Sequence, residues 1–206
     1  MTLDPIAIVD IGVGNIGSVC NMIRRAEGQA VVVSDPAALS DFSKIILPGV
    51  GSFDAAVQRL DAAGMRPALH HAVTEGKQLL GICLGMQLLA DGSEEGSLPG
   101  LGLIPGRVKR FQLDSKTSLK VPHMGWNRVT AKKPHGLVEG IDDQSRFYFV
   151  HSYYYSCTDP GDTLLESTYG TTFASGVQRG RVAGVQFHPE KSHRHGLGLL
   201  RNFVRL

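Results

Sequence analysis

An apolar run that ends abruptly at a cysteine constrains this chain more than any other stretch. Residues 78–82 predict a buried strand, Cys83 follows it, and residues 84–90 predict a helix that begins without a connecting loop. Cys83 lies between Gly81 and Gly85, which is the thiol form of the G-x-S-x-G nucleophile elbow. A sharp strand-to-helix turn crowds the positions two before and two after its centre, so both favour a residue without a Cβ. The pattern indicates a sheet covered by helices, with a thiol presented at the sheet edge.

Two interpretations of Cys83 are open from this stretch alone. A helix N-terminus offers partial positive charge and unpaired N–H groups, which favour the thiolate form of a neighbouring cysteine. The amide of Leu84 would then face an oxyanion that forms on a carbonyl under attack. Alternatively, Cys83 is a buried thiol in an apolar strand, since free cysteine is among the most buried residue types.

The composition indicates a globular protein of a reducing compartment. The 206 residues are 42% hydrophobic and 19% charged, which is enough for one well-packed domain. Three cysteines are too few, and odd in number, for a disulfide framework. The N-terminus does not read as a signal peptide, and no apolar run approaches the length of a membrane span. We therefore expect a single domain over residues 1–206, located in the cytoplasm, with no membrane partner.

Strands alternate with helices through the first half of the chain. The apolar segments predict strands at 6–11, 30–33 and 43–47 before the elbow strand, and helices ending near 27, 60 and 74. After Pro99 short segments replace this pattern, with strands predicted at 146–155, 163–169, 173–178 and 181–187 and a closing helix at 193–206. We expect an α/β fold, a three-layer αβα sandwich around a central, mostly parallel (mixed) sheet, with an additional small β-rich antiparallel excursion.

The first strand leads into a second glycine motif. Gly12, Gly14 and Gly17 form G-x-G-x-x-G, and Asp35 follows about 20 residues later, which is a nearly complete dinucleotide-binding fingerprint. Glycines in a first strand-to-helix turn also serve any tight turn or close contact with another surface. A dinucleotide-binding oxidoreductase therefore remains an alternative.

Two further segments bring chemistry to the sheet edge at which Cys83 is expected. The loop at 48–53 contains Gly49-Val50-Gly51, whose N–H groups can line an anion-binding concavity. The last predicted strand runs into His188-Pro189-Glu190, and residues two apart in extended chain point to the same side. A carboxylate that orients an imidazole is the base-and-orienter half of a triad. Together these segments supply a nucleophile, oxyanion donors and a base for attack on a carboxamide or ester.

Residues 107–133 form a basic stretch. They carry eight basic residues against one acid, although the net charge of the whole chain is only +2. The stretch is typical either of a solvated face or of a docking surface. Within it, residues 121–127 hold the only tryptophan, Trp126, beside methionine and histidine, which interfaces enrich. Aromatic residues are not interleaved with the basic ones, so nucleic acid is not an expected partner.

Several motifs resemble the class I (triad-type) glutamine amidotransferases over nearly the whole chain: PGVGSF at 48–53, GICLGMQLL at 81–89 and GVQFHPEKS at 184–192. Other segments are similar to one branch of that family, the glutaminase subunits that supply a (β/α)8-barrel cyclase in histidine biosynthesis: G-x-GN at 12–15, VPHMGWN at 121–127 and FVHSYY at 149–154. Many relatives carry Tyr where this chain has Ile11, a departure that touches no catalytic group.

The resemblance implies hydrolysis of glutamine by a Cys-His-Glu triad, without cofactor or metal. The thiolate would attack the side-chain amide of glutamine while backbone amides hold the oxyanion. The imidazole would protonate the departing ammonia and then activate water against a glutamyl thioester. The residues implied are Cys83, His188 and Glu190 for catalysis, and Val50, Gly51 and Leu84 for the oxyanion hole.

The resemblance also implies where substrate and partner bind. Gln87, one helical turn past Cys83, would touch the bound glutamine, and backbone at Ser152 and Tyr153 would hold its amino-acid end. Ammonia released into bulk water would mostly become ammonium, so a heterodimer with the cyclase and a closed passage is expected. The docking face is assigned to Asn15, Trp126 and Lys191. A catalytically dead interaction module, in which the elbow is architecture only, is a third interpretation.

Overall fold

The computed structural model describes residues 4–114 and 117–206; Lys116, one of the eight basic residues of the stretch 107–133, lies outside these ranges. The strands are β1 (Ile6–Val9), β2 (Ala30–Val33), β3 (Lys44–Gly49), β4 (Gln78–Cys83), β5 (Gly92–Ser93), β6 (Gly106–Arg110), β7 (His123–Arg128), β8 (Thr130–Ala131), β9 (Arg146–His151), β10 (Tyr153–Cys157), β11 (Thr163–Tyr169), β12 (Thr171–Arg179) and β13 (Val182–Val185). The α-helices are α1 (Ile16–Arg25), α2 (Phe53–Ala62), α3 (Met65–Thr74), α4 (Leu84–Gln87) and α5 (His193–Arg205).

The described strands form one large mixed sheet and one small antiparallel sheet. In the large sheet the order is β2-β1-β3-β4-β13-β12-β10-β6-β5, with β11 on β12 and β8 on β11, and β7 pairs with β9 in the small one. The five strands β2, β1, β3, β4 and β13 run parallel, whereas β12 and β10 are antiparallel to their neighbours. The predicted mixed sheet with an antiparallel excursion is confirmed. The elbow strand β4 is an interior strand of the large sheet, between β3 and β13.

Apolar side chains alternate between the two faces of the parallel part. On β1, Ile6 and Ile8 belong to a buried cluster that includes α1 and α5 side chains. Ala7 and Val9 belong to a second buried cluster, which includes α2 and α3 side chains. Full burial of each aliphatic side chain contributes about 1.5–3 kcal/mol, so both faces need a helical cover. The three-layer αβα sandwich follows from this pattern.

The elbow depends on glycines at which no side chain fits. A Cβ on Gly81 would lie 2.6 Å from the Gly85 carbonyl oxygen, and one on Gly49 would lie 2.9 Å from the Gly85 nitrogen. A Cβ on Gly85 would collide with the Leu47 carbonyl oxygen. The ends of β3 and β4 and the start of α4 therefore touch through bare backbone. The expectation that both elbow positions exclude a Cβ is confirmed.

The structure corrects two predicted elements. The α-helix after Cys83 ends at Gln87 rather than at residue 90, because the amides of Leu89 and Ala90 bond to carbonyls only three residues back. The predicted strand at 146–155 is two strands, β9 and β10, which separate at Ser152. Strand β9 pairs with β7 in the small sheet, and β10 pairs with β6 and β12 in the large one. The chain changes sheets at this break.

Alanine substitutions test the glycine contacts. We expect Gly85→Ala to lower the free energy of unfolding by about 3 kcal/mol, because the new methyl group meets the Leu47 carbonyl and the backbone cannot yield. The matched control is Gly198→Ala in α5, where an added Cβ has nothing within 4 Å. It should raise stability by about 0.5–1 kcal/mol. Urea unfolding measures both, and equal stability of Gly85→Ala and wild type would contradict the steric argument.

Candidate active site

Cys83 occupies a backbone conformation that few residues adopt. Its φ of 56° and ψ of −112° lie outside the backbone regions that residues other than glycine favour. Such a conformation costs about 1–3 kcal/mol and persists only where the surroundings fix it. In this protein the glycine contacts at the ends of β3 and β4 hold the backbone of Cys83 in that conformation. They place the cysteine at the turn between β4 and α4. Cys83 is 7% exposed, so its contact with solvent is confined to the cavity described next.

A cavity of about 340 Å³ opens at the C-terminal end of the parallel strands. It is lined by most of the residues that the sequence selected: Val50, Gly51, Cys83, Leu84, Gln87, Ser152, Tyr153 and His188. The lining also includes four residues that the sequence analysis did not select: Glu95, Pro122, Val150 and His151. Segments far apart in sequence therefore meet in one place. The cavity is large enough for a small amino-acid substrate.

The imidazole of His188 is held from behind by Glu190. Nδ1 of His188 lies 2.8 Å from Oε1 of Glu190, and the two side chains are 3% and 2% exposed. This bond leaves Nε2 of His188 for the cavity, and in the part of the chain that the structure describes it has no hydrogen-bond partner. The predicted pairing of residues two apart is confirmed. The imidazole has one nitrogen engaged and one available.

Two neighbours control the charge of His188. Burial by itself lowers the pKa of this imidazole, but the Cys83 side chain and the Glu190 carboxylate outweigh burial and raise the pKa well above 6.5. His188 therefore carries a proton at neutral pH. An imidazolium beside the thiol can donate that proton to a leaving nitrogen.

A buried glutamine next to the thiol was missed by the sequence analysis. Gln186 is fully buried, and its Nε2 donates to Cys83 Sγ at 3.8 Å. Its Oε1 accepts from Nε2 of Gln87 at 3.0 Å, and the same Gln87 nitrogen lies 3.1 Å from the Tyr153 carbonyl oxygen. Gln87 therefore links Gln186 to the Tyr153 backbone in the cavity wall. Its contact with a substrate remains a prediction. A lone polar residue just beyond the apolar strand β13 was the available signal for Gln186.

The three predicted docking residues lie on or near one exposed region. Trp126 is 47% exposed and stacks on His193, with ring centroids 5.3 Å apart. Lys191 Nζ lies 5.9 Å from the ring centroid of Tyr148, which is also an edge neighbour of Trp126. Asn15 immediately precedes α1, and α1 contacts the turn that contains Lys191. The docking role of this region stays a prediction.

The glycines at 12–17 do not pack as a dinucleotide-binding fingerprint requires. The third glycine of that fingerprint allows close packing of helix on strand. A Cβ on Gly17 would have nothing within 4 Å. The Asp35 carboxylate accepts from the Ala37 amide at 3.0 Å and so caps a short turn. The motif serves the turn into α1.

Neither a metal cluster nor a membrane-spanning helix is found in the described ranges. Among their His, Cys, Asp and Glu side chains, no group of three or more is arranged to hold a metal ion. No helix in the same ranges is long and apolar enough to cross a membrane.

The fold and the site together define a class I glutamine amidotransferase. The model of the family "Glutamine amidotransferase class-I" matches residues 7–206, and the chain belongs to this family. The chain is 46% identical over 201 residues to imidazole glycerol phosphate synthase subunit HisH 2 of Methanococcus maripaludis, covering 97% of this chain and 98% of that protein. It is 47% identical over 202 residues to the HisH 2 subunit of Pseudomonas aeruginosa, covering 98% and 99%. Within the amidotransferases it thus belongs to the HisH family.

Solved structures share the fold at low sequence identity. A chain in the structure of PurLQS from Thermotoga maritima has a TM-score of 0.76 and 18% identity, covering 99% of both chains. A glutamine amidotransferase from Thermotoga maritima has a TM-score of 0.67 and 17% identity, covering 100% of this chain and 98% of that one. These likenesses show the fold only.

The charge of His188 can be tested by removing its orienting carboxylate. We expect Glu190→Gln to lower the pKa of His188, as measured by NMR titration of 15N-labelled histidine. Because the folded pKa is the raised one, the stability from this proton is complete below about pH 6.5 and is lost as the pH rises through the folded pKa. The destabilisation of Glu190→Gln should therefore shrink over the same range.

The matched control is Glu166→Gln, which removes a carboxylate paired with Lys132 at 2.9 Å on the surface. It should leave the pKa of His188 unchanged. An unchanged His188 titration in Glu190→Gln would refute the electrostatic role of Glu190.

Proposed function

We propose that this chain is the glutaminase subunit of imidazole glycerol phosphate synthase, acting in the cytoplasm as a single domain. It hydrolyses glutamine to glutamate and ammonia. The ammonia passes to a (β/α)8-barrel cyclase subunit, which makes imidazole glycerol phosphate and AICAR in histidine biosynthesis. The HisH relatives support the pathway. The observation that carries the chemistry is one cavity lined by both Cys83 and His188, with Glu190 behind the imidazole.

Cys83 is the nucleophile of this proposal. Its sulfur attacks as the thiolate, with the matching proton held on His188, and forms a bond to the side-chain amide carbon of glutamine while the carbonyl electrons move to oxygen. The Leu84 amide and the amides of the Val50–Gly51 loop are the proposed donors to that oxyanion, and all three residues line the cavity. Gln186 donates to the same sulfur and so fixes the direction in which it points.

His188 moves the protons. Its Nε2 gives a proton to the leaving nitrogen as the carbon–nitrogen bond breaks, which leaves ammonia and a glutamyl thioester. The now neutral imidazole takes a proton from water as that water attacks the thioester, and the carbon–sulfur bond breaks to release glutamate. Glu190 keeps the ring oriented and stabilises its positive charge in both steps.

The amino-acid end of glutamine is assigned to the part of the cavity wall that Ser152 and Tyr153 form. Ser152 and Tyr153 supply backbone there, at the break between β9 and β10. Glu95 is the one carboxylate among the described residues that line the cavity, and its Oε2 accepts from the Phe53 amide at 2.9 Å. A fixed carboxylate attracts the ammonium group of the substrate.

Removing the thiol tests the reaction. In a reconstituted complex with the cyclase and its nucleotide substrate, wild type should hydrolyse glutamine, and Cys83→Ala should reduce the rate to background. The cyclase in that complex should still work with added ammonium salt, because only the ammonia source is lost. Cys157→Ala, which removes a thiol outside the cavity, should keep the glutamine-dependent activity.

Two outcomes would count against the proposal. Glutamine hydrolysis by Cys83→Ala at the wild-type rate would remove the nucleophile. A lack of stimulation by the cyclase, in a complex that forms, would remove the assigned partner.

The loop at Gly49–Gly51 is the proposed switch of the oxyanion hole, in which a peptide turns to complete the hole when the partner is loaded. Gly51 has φ +105° and open space around its Cα, so its peptide planes are free to turn. Gly51→Pro fixes φ near −65° and removes one N–H donor, so partner-stimulated hydrolysis should fall roughly 100-fold.

The matched control for the loop is Gly140→Pro, at another positive-φ glycine with open surroundings that is absent from the cavity lining. It should keep the stimulated rate in the same steady-state assay. Intact stimulation in Gly51→Pro would end the switch hypothesis.

A further inference from the structure

Two buried histidines form a hydrogen-bonded pair beside the cavity. His123 on β7 and His151 at the end of β9 are opposite each other in the small sheet, and they are 3% and 6% exposed. Nδ1 of His123 lies 2.9 Å from Nε2 of His151. His151 lines the cavity, yet neither ring has a part in the proposed hydrolysis. The pair therefore needs an explanation of its own.

The neighbours at both ends fix where each proton sits. Oδ1 of Asn127 accepts from the Arg128 amide at 2.8 Å, so its NH2 group faces the Thr168 carbonyl at 2.9 Å and Nε2 of His123 at 3.2 Å. Nε2 of His123 is therefore an acceptor, and its proton is on Nδ1. That N–H donates to Nε2 of His151.

The other end of the pair gives the same answer independently. Nδ1 of His151 lies 2.7 Å from the Tyr153 carbonyl oxygen, which can only accept, so the His151 proton is also on Nδ1. Burial lowers the pKa of His123 to about 4 and that of His151 to about 3, so both rings are neutral at pH 7. The three hydrogen bonds therefore all point the same way: Asn127 donates to His123, His123 to His151, and His151 to the Tyr153 carbonyl.

The Tyr153 carbonyl is thus occupied by two donors. Besides Nδ1 of His151, Nε2 of Gln87 reaches it at 3.1 Å. A carbonyl oxygen has two lone pairs, so both are used and the peptide plane after Tyr153 is fixed. An unoccupied, freely turning carbonyl in this wall would repel the carboxylate of an amino acid.

We propose that His151, oriented by His123 and Asn127, is a positioning residue for the amino-acid end of glutamine, which it serves by holding the Tyr153 carbonyl. This inference rests on the proposed function. It assigns His151 to substrate binding and not to the chemical step, because the ring is fully engaged on both nitrogens. Loss of its Nδ1 donor should therefore change KM and leave kcat.

Two variants of His151 separate its two hydrogen bonds. Asn at this position places its amide NH2 near the site of Nδ1 and can still donate to the Tyr153 carbonyl. Gln is longer, places its amide near the site of Nε2, and loses that donor. In the complex with the cyclase, we expect His151→Gln to raise KM for glutamine about three- to tenfold, the effect of one hydrogen bond. The kcat should stay within about twofold, and His151→Asn should stay within about twofold of wild type in both constants.

Equal KM values for the two variants, or a loss confined to kcat, would overturn the proposal. Thermal unfolding of both variants verifies that each is folded. The second measurement uses the wild-type protein alone and does not depend on any variant. Long-range 1H–15N spectra of histidine-labelled protein at pH 7 should show two rings protonated on Nδ1 only, assigned to His123 and His151. A proton on Nε2 of either ring, or an imidazolium, would refute the hydrogen-bond direction.

These experiments separate this inference from the proposed function. If wild type in the complex does not hydrolyse glutamine, the proposed function fails, whatever the histidine spectra show. If wild type hydrolyses glutamine and the two His151 variants bind it alike, the proposed function stands and the positioning role fails.

Discussion

The site depends on a close backbone contact at the ends of β3 and β4, two interior strands of the large sheet. The start of α4 lies directly against the end of β3, where the Leu47 carbonyl leaves no room for a side chain on Gly85. Parallel pairing sets Cys83 opposite Gly49, so the glycine loop that follows β3 begins beside the thiol. On the other side of β4, strand β13 pairs in register with it and runs on toward His188. The elbow sterics and the strand register thus bring the Cys83 thiol, the glycine loop and the His188 imidazole together.

His188 and Glu190 form a buried pair next to the Cys83 thiol, and their burial directs the proton of the imidazole. Separately, an imidazolium and a carboxylate would each lose several kcal/mol on removal from water. Together they form a hydrogen bond, with Nδ1 of His188 2.8 Å from Oε1 of Glu190. The nearby Cys83 side chain also raises the pKa of His188, so the imidazole keeps its proton. The remaining nitrogen of the ring, Nε2, is therefore left for the cavity. A solvated pair would exchange its proton with bulk water and lose this direction.

Strand β7 of the small antiparallel sheet has one exposed face and one buried face. On β7, Met124 and Trp126 face outward and are the most exposed large apolar groups of that strand, while His123 points to the interior. Because side chains alternate along a strand, β7 turns one row of side chains outward and the other row toward the interior. The excursion after Pro99 thus adds a closing wall to the cavity and an exposed region beside it.

The sequence by itself determined the parallel strands, the elbow and the His–Glu pairing. Each of these follows from sterics or from periodicity within a few residues, such as the two bare positions around Cys83 and the two-residue spacing of His188 and Glu190. Only the tertiary structure decided the break at Ser152, the bracing of the thiol by Gln186 and the pairing of His123 with His151. Gln186 and Cys83 are 103 positions apart in sequence, and His123 and His151 are 28 apart. No local pattern encodes which distant donor will meet which acceptor.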